Sequence, residues 1–430
     1  MQGKMRRKAG VEIMAKKFIC ILICCLMCLW AVPSLAQEQS LPVVSITCRT
    51  DASLSPENAV DAQVVMVDEG QEIKSDAALR LYDESLGGVE LTLPQKSLYV
   101  ESSDARFVLY NGGYDGLNTM VISAVCSDLI TQGPIDIAVC AQEPVEVYMN
   151  GDYWGLYTKR ETIVDAIARF EGLTNPDTLN VTNVNHDTLC GDVDEITKKI
   201  RMIRNLNLSR EEDRMTFEEL LDTESFLNWF AINAFWGTGN FFGEAVFYTI
   251  DGGSLKCAVG RTDYAFVTAN ANPFATLDEY RAVHLDAAVL ANMMLEQPVY
   301  RDAFLTKLGL LYQTFTTSMM QEAVDTENAL IASALPAHMS RWTEEFYNAL
   351  EDEYLYPPAN AQEALLYQQY RVYRLRDKTL VRRPGLLYEL VQSELNVSDE
   401  EMERYFGGSK PTVPEVPGDT WEDYKASHMN

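Results

Sequence analysis

The chain has 430 residues and is 47% hydrophobic, which is enough apolar material for one large or two ordinary cores and excludes disorder as its class. A formal net charge of −28 and a pI near 4.5 exclude a general nucleic-acid or anionic-membrane surface, because both require a basic footprint.

Residues 1–36 read as an address rather than a fold. Lys16-Lys17 precede an apolar run from Phe18 to Val32, and Ser34-Leu35-Ala36 supplies the small residues of a cleavage site before Gln37. Met14 offers a second start with a short basic n-region. The apolar run is shorter than the roughly 20 residues of a membrane span. The mature chain is therefore expected to be exported, to the periplasm, cell surface or medium, with no stable span. Of the nine cysteines, Cys48, Cys126, Cys140, Cys190 and Cys257 lie beyond this leader. They are widely spaced, with no CxxC pair, and read as small buried hydrophobes with room for one bridge. The four histidines are scattered, so no zinc site is expected.

From Leu41 to about Val108, the runs PVVSIT, AQVVMV, AALRLY and ARFVLY alternate or stay apolar between Asp, Ser, Gly and Glu clusters. This is the pattern of a β-rich lobe. Within it, LPQKSL (Leu93 to Leu98) follows Gly87-Gly88 and puts Lys96 on a strand, from which its ammonium reaches a phosphate as a mobile point charge. A solvated surface lysine is the plainer reading of the same residues. After RFVLYNGGYDG (Arg106 to Gly116), helical spacing over Asn118 to Ile130 predicts a helix capped by Asn118, and Ile135 to Cys140 reads as a strand.

Val145 to Glu161 is the most informative stretch. Val145-Val147-Met149 and Tyr153-Gly155-Tyr157 flank Asn150-Gly151, a pair that supplies the positive φ angles of a tight hairpin. Its second strand ends in Lys159-Arg160-Glu161, so a charged cluster sits on a stiff element. Thr162 to Gly172 reads as a glycine-closed helix and Thr178 to Val184 as a strand. A helical lobe begins near Ile196 and continues through Phe217 to Phe235. A second hairpin, Phe247–Ile250 and Leu255–Val259 around Asp251-Gly252-Gly253-Ser254, interrupts it. Amphipathic helices follow from Pro273 to Phe406, with a break near Tyr356-Pro357-Pro358. The run Arg371, Arg374, Arg376, Lys378, Arg382 and Arg383 is expected to be a solvated helix face. Residues 407–430, rich in Pro, Gly and acid, are expected to form a flexible tail.

VYMNGDYWGLYTKRETI resembles the signature of the CotH family, atypical secreted kinases of the spore coat protein H type. LPQKSL resembles the family segment whose Lys contacts nucleotide, RFVLYNGGYDG its strand and turn, and Arg383-Pro384 with LLYELVQSEL its closing helix. The resemblance spans roughly residues 41–395. It implies an α+β, atypical protein-kinase-like fold, with a β-rich N-terminal lobe to about residue 190 and a mainly helical C-terminal lobe beyond. It also implies ATP and Mg²⁺ as cofactors and a nucleotide-binding role for Lys96 and Glu161, with Arg261 a candidate phosphate contact on its own chemistry. Registering the hairpins sets TGNFFGEA and GRTDYAF against the family's catalytic segments. Asn240 then stands where the family has its catalytic Asp, Ala245 where it has an Asn, and Arg261 where it has the first Asp of a D.D pair. Asp263 remains as the catalytic and metal-binding carboxylate.

These departures bear on chemistry. Phosphoryl transfer is mostly positioning and charge neutralisation, and Mg²⁺ takes carboxylate, phosphate and water oxygens in near-octahedral geometry. An Arg in place of a ligating Asp removes a ligand and adds repulsion, about 4 kcal/mol for unit charges 4 Å apart at an effective dielectric of 20. Asn240 accepts no proton. The expected function is an exported pseudokinase with impaired or lost transfer, binding or scaffolding a polypeptide partner, with the Arg261 guanidinium in the place of the metal beside a phosphate. One alternative is an active ATP-dependent kinase of the same type, in which Glu244 or Asp251 joins Asp263 at the metal. The other is a carbohydrate-binding or hydrolytic surface protein using Trp154, Trp229 and Trp236 with paired acids, although helix-spaced Trp more often packs a core.

Overall fold

The structure, a computed structural model, describes residues 40–49, 54–82, 93–103, 105–112, 117–349, 358–408, 410–416 and 420–428. The expected leader, Gly87-Gly88, the end of the RFVLYNGGYDG turn and Tyr356-Pro357 lie outside these. Among the described residues, a mixed α+β chain begins with a closed barrel in the order β1-β2-β3-β4-β5-β7-β6. Its strands are β1 (Val43–Cys48), β2 (Val60–Asp68), β3 (Gln71–Leu81), β4 (Leu98–Ser102), β5 (Arg106–Tyr110), β6 (Gln142–Met149) and β7 (Asp152–Arg160). β1 closes the barrel by pairing with β6 in parallel, Val44 opposite Val147, which leaves no open edge. Alternate residues, among them Val44, Ile46, Val64, Leu79, Val100 and Val147, fill the interior. Strand β4 corrects the reading of LPQKSL: Lys96 stands just before a strand rather than on one.

The Asn150-Gly151 turn joins β6 to β7 with φ of 53° and 92°, the left-handed pair that a two-residue hairpin requires. Helix α1 (Leu117–Gln132) is buried at every position from Leu117 to Ser127, so it is a core helix rather than an amphipathic one. Asn118 lies buried inside its first turn and does not cap it. The Ile135–Cys140 run is apolar because it packs in the core, where Ile135, Ile137 and Val139 are buried. Its pairing is a single parallel bridge between Val139 and Val259, not the expected strand. Helix α2 (Ile163–Phe170) starts on Thr162, whose side chain accepts from the Asp165 amide, and Gly172 follows it at φ 66°.

A second sheet, ordered β11-β10-β8-β9, consists of β8 (Leu179–Asn183), β9 (Thr188–Cys190), β10 (Val246–Ile250) and β11 (Lys256–Ala258). The helical part contains α3 (Asp194–Arg204), α4 (Glu211–Leu220), α5 (Thr223–Trp236), α6 (Pro273–Ala282), α7 (Asp286–Leu295), α8 (Pro298–Thr314), α9 (Thr317–Ile331) and α10 (Leu335–Ala349). Then come α11 (Ala361–Tyr373), a π-helical turn at Arg374–Thr379, α12 (Leu380–Glu394), α13 (Asp399–Phe406) and α14 (Trp421–His428). Helix α5 is the centre of this part. Asp222 caps it, every residue from Phe226 to Trp236 is buried, and Gly237 closes it at φ 62°. Phe230 stacks on Phe304 of α8 with ring centroids 4.4 Å apart.

Three expectations about side chains change. Trp229 and Trp236 are core residues, and Trp154 meets Trp342 edge-on with centroids 5.3 Å apart, so these rings form no sugar platform. Arg383 is fully buried instead of lying on a solvated face. The segment expected as a flexible tail ends in α14, docked on α11 through Trp421 against Tyr367 (5.1 Å), Tyr424 against Tyr370 (5.3 Å) and a Lys425–Glu363 ion pair. The three-residue step from Trp421 to Tyr424 sets both rings on one helix face. All five described cysteines are free, with Cys126, Cys140 and Cys257 buried.

The barrel meets the helices at Gly155. Leu156 N–H donates to His338 Nδ1 at 3.0 Å, and Trp342 Nε1 donates to the Trp154 carbonyl at 2.6 Å. A Cβ on Gly155, at φ +130°, would sit 2.7 Å from Trp342 Nε1. The Trp-Gly step of the first hairpin is thus a docking socket for α10.

Candidate functional site

The site forms where the barrel's last strands meet the loop after β11. Arg160 is the final residue of β7, and strand alternation places it with Leu156 and Thr158. Leu156 belongs to the core of the helical part, and Arg160, 3% exposed, extends into the same region. There its Nη2 donates to Asp263 Oδ1 at 2.7 Å. Arg261 donates to the other oxygen, Oδ2, from Nε at 3.1 Å and Nη2 at 3.0 Å. Tyr110, at the end of β5, completes the group. The Arg160 guanidinium lies 4.2 Å from its ring centroid, and Arg261 Nη2 donates to its hydroxyl at 3.1 Å.

Asp263 is 4% exposed. Burial opposes its ionisation, but the charges and donors of Arg160 and Arg261 outweigh burial and hold its carboxyl below the ordinary range. Behind it on α1, burial, aided by the Asp263 charge, pushes the Cys126 thiol well up and keeps it protonated.

Lys96 lies on the other side of the β5 end. Its carbonyl accepts from the Tyr157 hydroxyl at 2.9 Å, Gln95 Nε2 donates to the Leu156 carbonyl at 2.8 Å, and Asn111 N–H donates to Ser97 Oγ at 3.2 Å. Partial burial pulls the Lys96 ammonium pKa down. Glu161 makes no pair with Lys96. Its carboxylate accepts from the Ala141 amide at 3.1 Å and from Arg169 Nη2 at 3.0 Å, and Arg169 also holds the Val139 carbonyl at 2.9 Å. Glu161 therefore fastens α2 to the barrel end.

Asn240 is on the Thr238–Asn240 turn after α5, at φ 57°. The Gly239 amide donates to the Tyr264 carbonyl at 3.0 Å, which sets this turn beside the Asp263 loop. The Asn240 amide is engaged at both ends: the Tyr280 hydroxyl donates to Oδ1, and Nδ2 donates to Glu244 Oε1 at 3.3 Å. The structure thus brings together Arg261 and Asp263, sets Asn240 on the adjoining loop, and gives Glu161 another task.

Two functional side chains were missed in the sequence. Arg160 was read only as part of a charged strand end, although alternation with Leu156 and Thr158 points it inward. Arg383 was read as solvated, yet Leu380 and Leu387, three and four residues away, mark a buried stripe of the helix. Its guanidinium donates to the Phe235 carbonyl at 3.0 Å, Ala234 at 2.6 Å, Ala271 at 2.5 Å and Ala269 at 3.3 Å. It therefore clamps the end of α5, just before Asn240, to the loop that follows Asp263. Any Cβ on Gly237 would sit 2.7 Å from Arg383 Cζ.

The family model described as CotH kinase protein matches residues 85–356, more than half of the chain and a span that contains this whole cluster. The chain belongs to the CotH family. No curated protein matches it.

The site of this CotH family member does not fit a magnesium ion. Mg²⁺ needs oxygen ligands it can hold without competition, but both Asp263 oxygens accept from guanidinium groups. Arg261, on the same loop, adds a fixed positive charge that repels a cation. Nor can Asp251 repair the set. It sits at the tip of the β10–β11 hairpin, whereas Val246 pairs with Ala258 at the other end, toward Asp263. The five residues of β10 separate the two ends by roughly 17 Å.

Proposed function

We propose that this CotH family member is an exported binding or scaffolding protein on a kinase-type frame and carries out no phosphoryl transfer. The single observation behind this reading is the Arg160–Asp263–Arg261 cluster, in which the last acid of the family pattern is consumed as a counter-ion. Transfer needs a metal-held triphosphate and a carboxylate to orient the attacking hydroxyl. Asn240 offers only an amide, itself bonded to Tyr280 and Glu244. The Arg261 guanidinium favours a phosphate without a metal, because a guanidinium binds that group directly.

Incubation with labelled ATP and Ser-rich or acidic acceptor proteins is expected to give no incorporation above blank. Incorporation that Asp263→Ala abolishes would instead establish an active kinase. Titration with a non-hydrolysable ATP analogue is expected to give the same affinity with Mg²⁺ as with a chelator, and tighter binding with Mg²⁺ would overturn the metal-free reading.

A further inference from the structure

A groove of about 420 Å³ lies between the end of α2, the Pro134–Asp136 loop, the start of α5, the β10–β11 pair and α8. Ligand sites fall in this size range, roughly 300–1,000 Å³. Its walls are of two kinds. Phe170 and Leu310 are apolar and stay 40% and 44% exposed, and Pro134 and Ile135 extend the same surface. Asp136, Asp222 and Glu224 supply carboxylates.

Both lysines in the groove are already neutralised. Lys256 Nζ lies 2.8 Å from Glu171 and 4.0 Å from Asp222, and Lys307 pairs with Glu224. Acid therefore exceeds base in the groove, and the whole chain, at −28, adds a long-range field of the same sign. In the floor, Asn228 is 4% exposed. Its Nδ2 donates to the Asp136 carbonyl at 2.9 Å, and among the described residues its Oδ1 has no hydrogen-bond partner. That acceptor is left open to a hydrogen-bond donor, which an arginine or lysine head supplies and a carboxylate or hydrocarbon does not.

We propose that this groove binds an arginine-bearing segment of a partner polypeptide. Arginine matches both kinds of wall: its aliphatic stem packs on Phe170 and Leu310 while its head stays with the acids. The planar guanidinium forks a carboxylate such as Asp136 and stacks on the Phe170 ring. Lysine carries the same charge but lacks the fork. Acidic and purely apolar side chains leave the carboxylates unmatched. This assignment gives the binding role a partner class. Phosphate incorporation tests the loss of transfer and peptide titration tests the groove, so either can fail alone.

The test is calorimetric titration of the protein with acetyl-Gly-Ala-Arg-Ala-Gly-amide and with the Lys, Glu and Leu versions of its central residue. The Arg peptide is expected to bind best, Lys more weakly, and Glu and Leu without measurable heat, with affinity falling as salt rises. Asp136→Asn and Leu310→Ala, both at the surface, are each expected to weaken Arg-peptide binding about fivefold or more with an unchanged circular dichroism spectrum. No binding of the Arg peptide, equal binding of the Glu peptide, or an affinity unmoved by both substitutions would overturn the proposal.

Discussion

Two of the chain's hairpins, β6–β7 and β10–β11, share nearly the same local design. In β6–β7, Asn150 and Gly151 turn the chain at positive φ, and in β10–β11, Asp251 and Gly252 do so at 47° and 71°. The first reproduces the family signature and uses it for packing, since Gly155, Leu156 and Trp154 receive α10. The second is flanked by Asn240 before it and Arg261 after it, an amide and a guanidinium rather than a pair of acids. Backbone form and charge chemistry are thus separable: a turn depends on φ and hydrogen bonds, whereas a metal site depends on which side chains the turn delivers.

The largest expected effect lies at the second hairpin. If Asp263 is a counter-ion, Asp263→Asn removes the charge that pairs the buried Arg160 and the partly buried Arg261 and costs about 4 kcal/mol in urea unfolding without metal. If Asp263 were held ready for a metal, the same substitution would leave metal-free stability nearly unchanged.

At the first hairpin, buried His338 accepts the Leu156 amide, and burial pushes its pKa down to about 4 from an ordinary 6.5. Between those values the unfolded chain holds more protons than the folded one, so acid favours unfolding. The contribution is fully present above pH 6.5 and is lost as the pH falls toward 4, about 3 kcal/mol in all. Stability against pH should show this slope in the parent and lose it in His338→Gln, and an unchanged slope would show that the barrel–α10 joint does not depend on a neutral imidazole.

The smallest effect compares the turns directly. A Cβ at Gly151 would meet nothing within 4 Å, whereas one at Gly252 would meet Glu195 Oε1 at 3.0 Å. Both positions have positive φ, so Gly151→Ala and Gly252→Ala should each cost about 1 kcal/mol, with Gly252→Ala the larger. The reverse order in denaturant melts would show that Glu195 moves aside freely.

Much of the frame was legible because it is written in periodicity. β1, β2, β3 and β5, both hairpins, the helix from Thr162 and the glycine after it all follow from alternation, helical spacing and turn residues. Strand β4 was missed because five residues directly after LPQKS carry too short a pattern. Ile135–Cys140 was misread because an apolar run signals burial and not pairing. The docked α14 was hidden because a short helix is held by its partner rather than by its own propensity.

The amino-acid order by itself determined the family and the two-part α+β layout, since both are properties of local pattern and residue identity. Only the tertiary structure decided what became of the remaining charges. Asp263 found two guanidiniums, one from a barrel strand 103 residues away, Glu161 turned to Arg169, and Arg383 went inside to hold four carbonyls. A buried charge must have partners near enough to offset its lost hydration, and the folded chain, not the spacing along it, sets which groups those are.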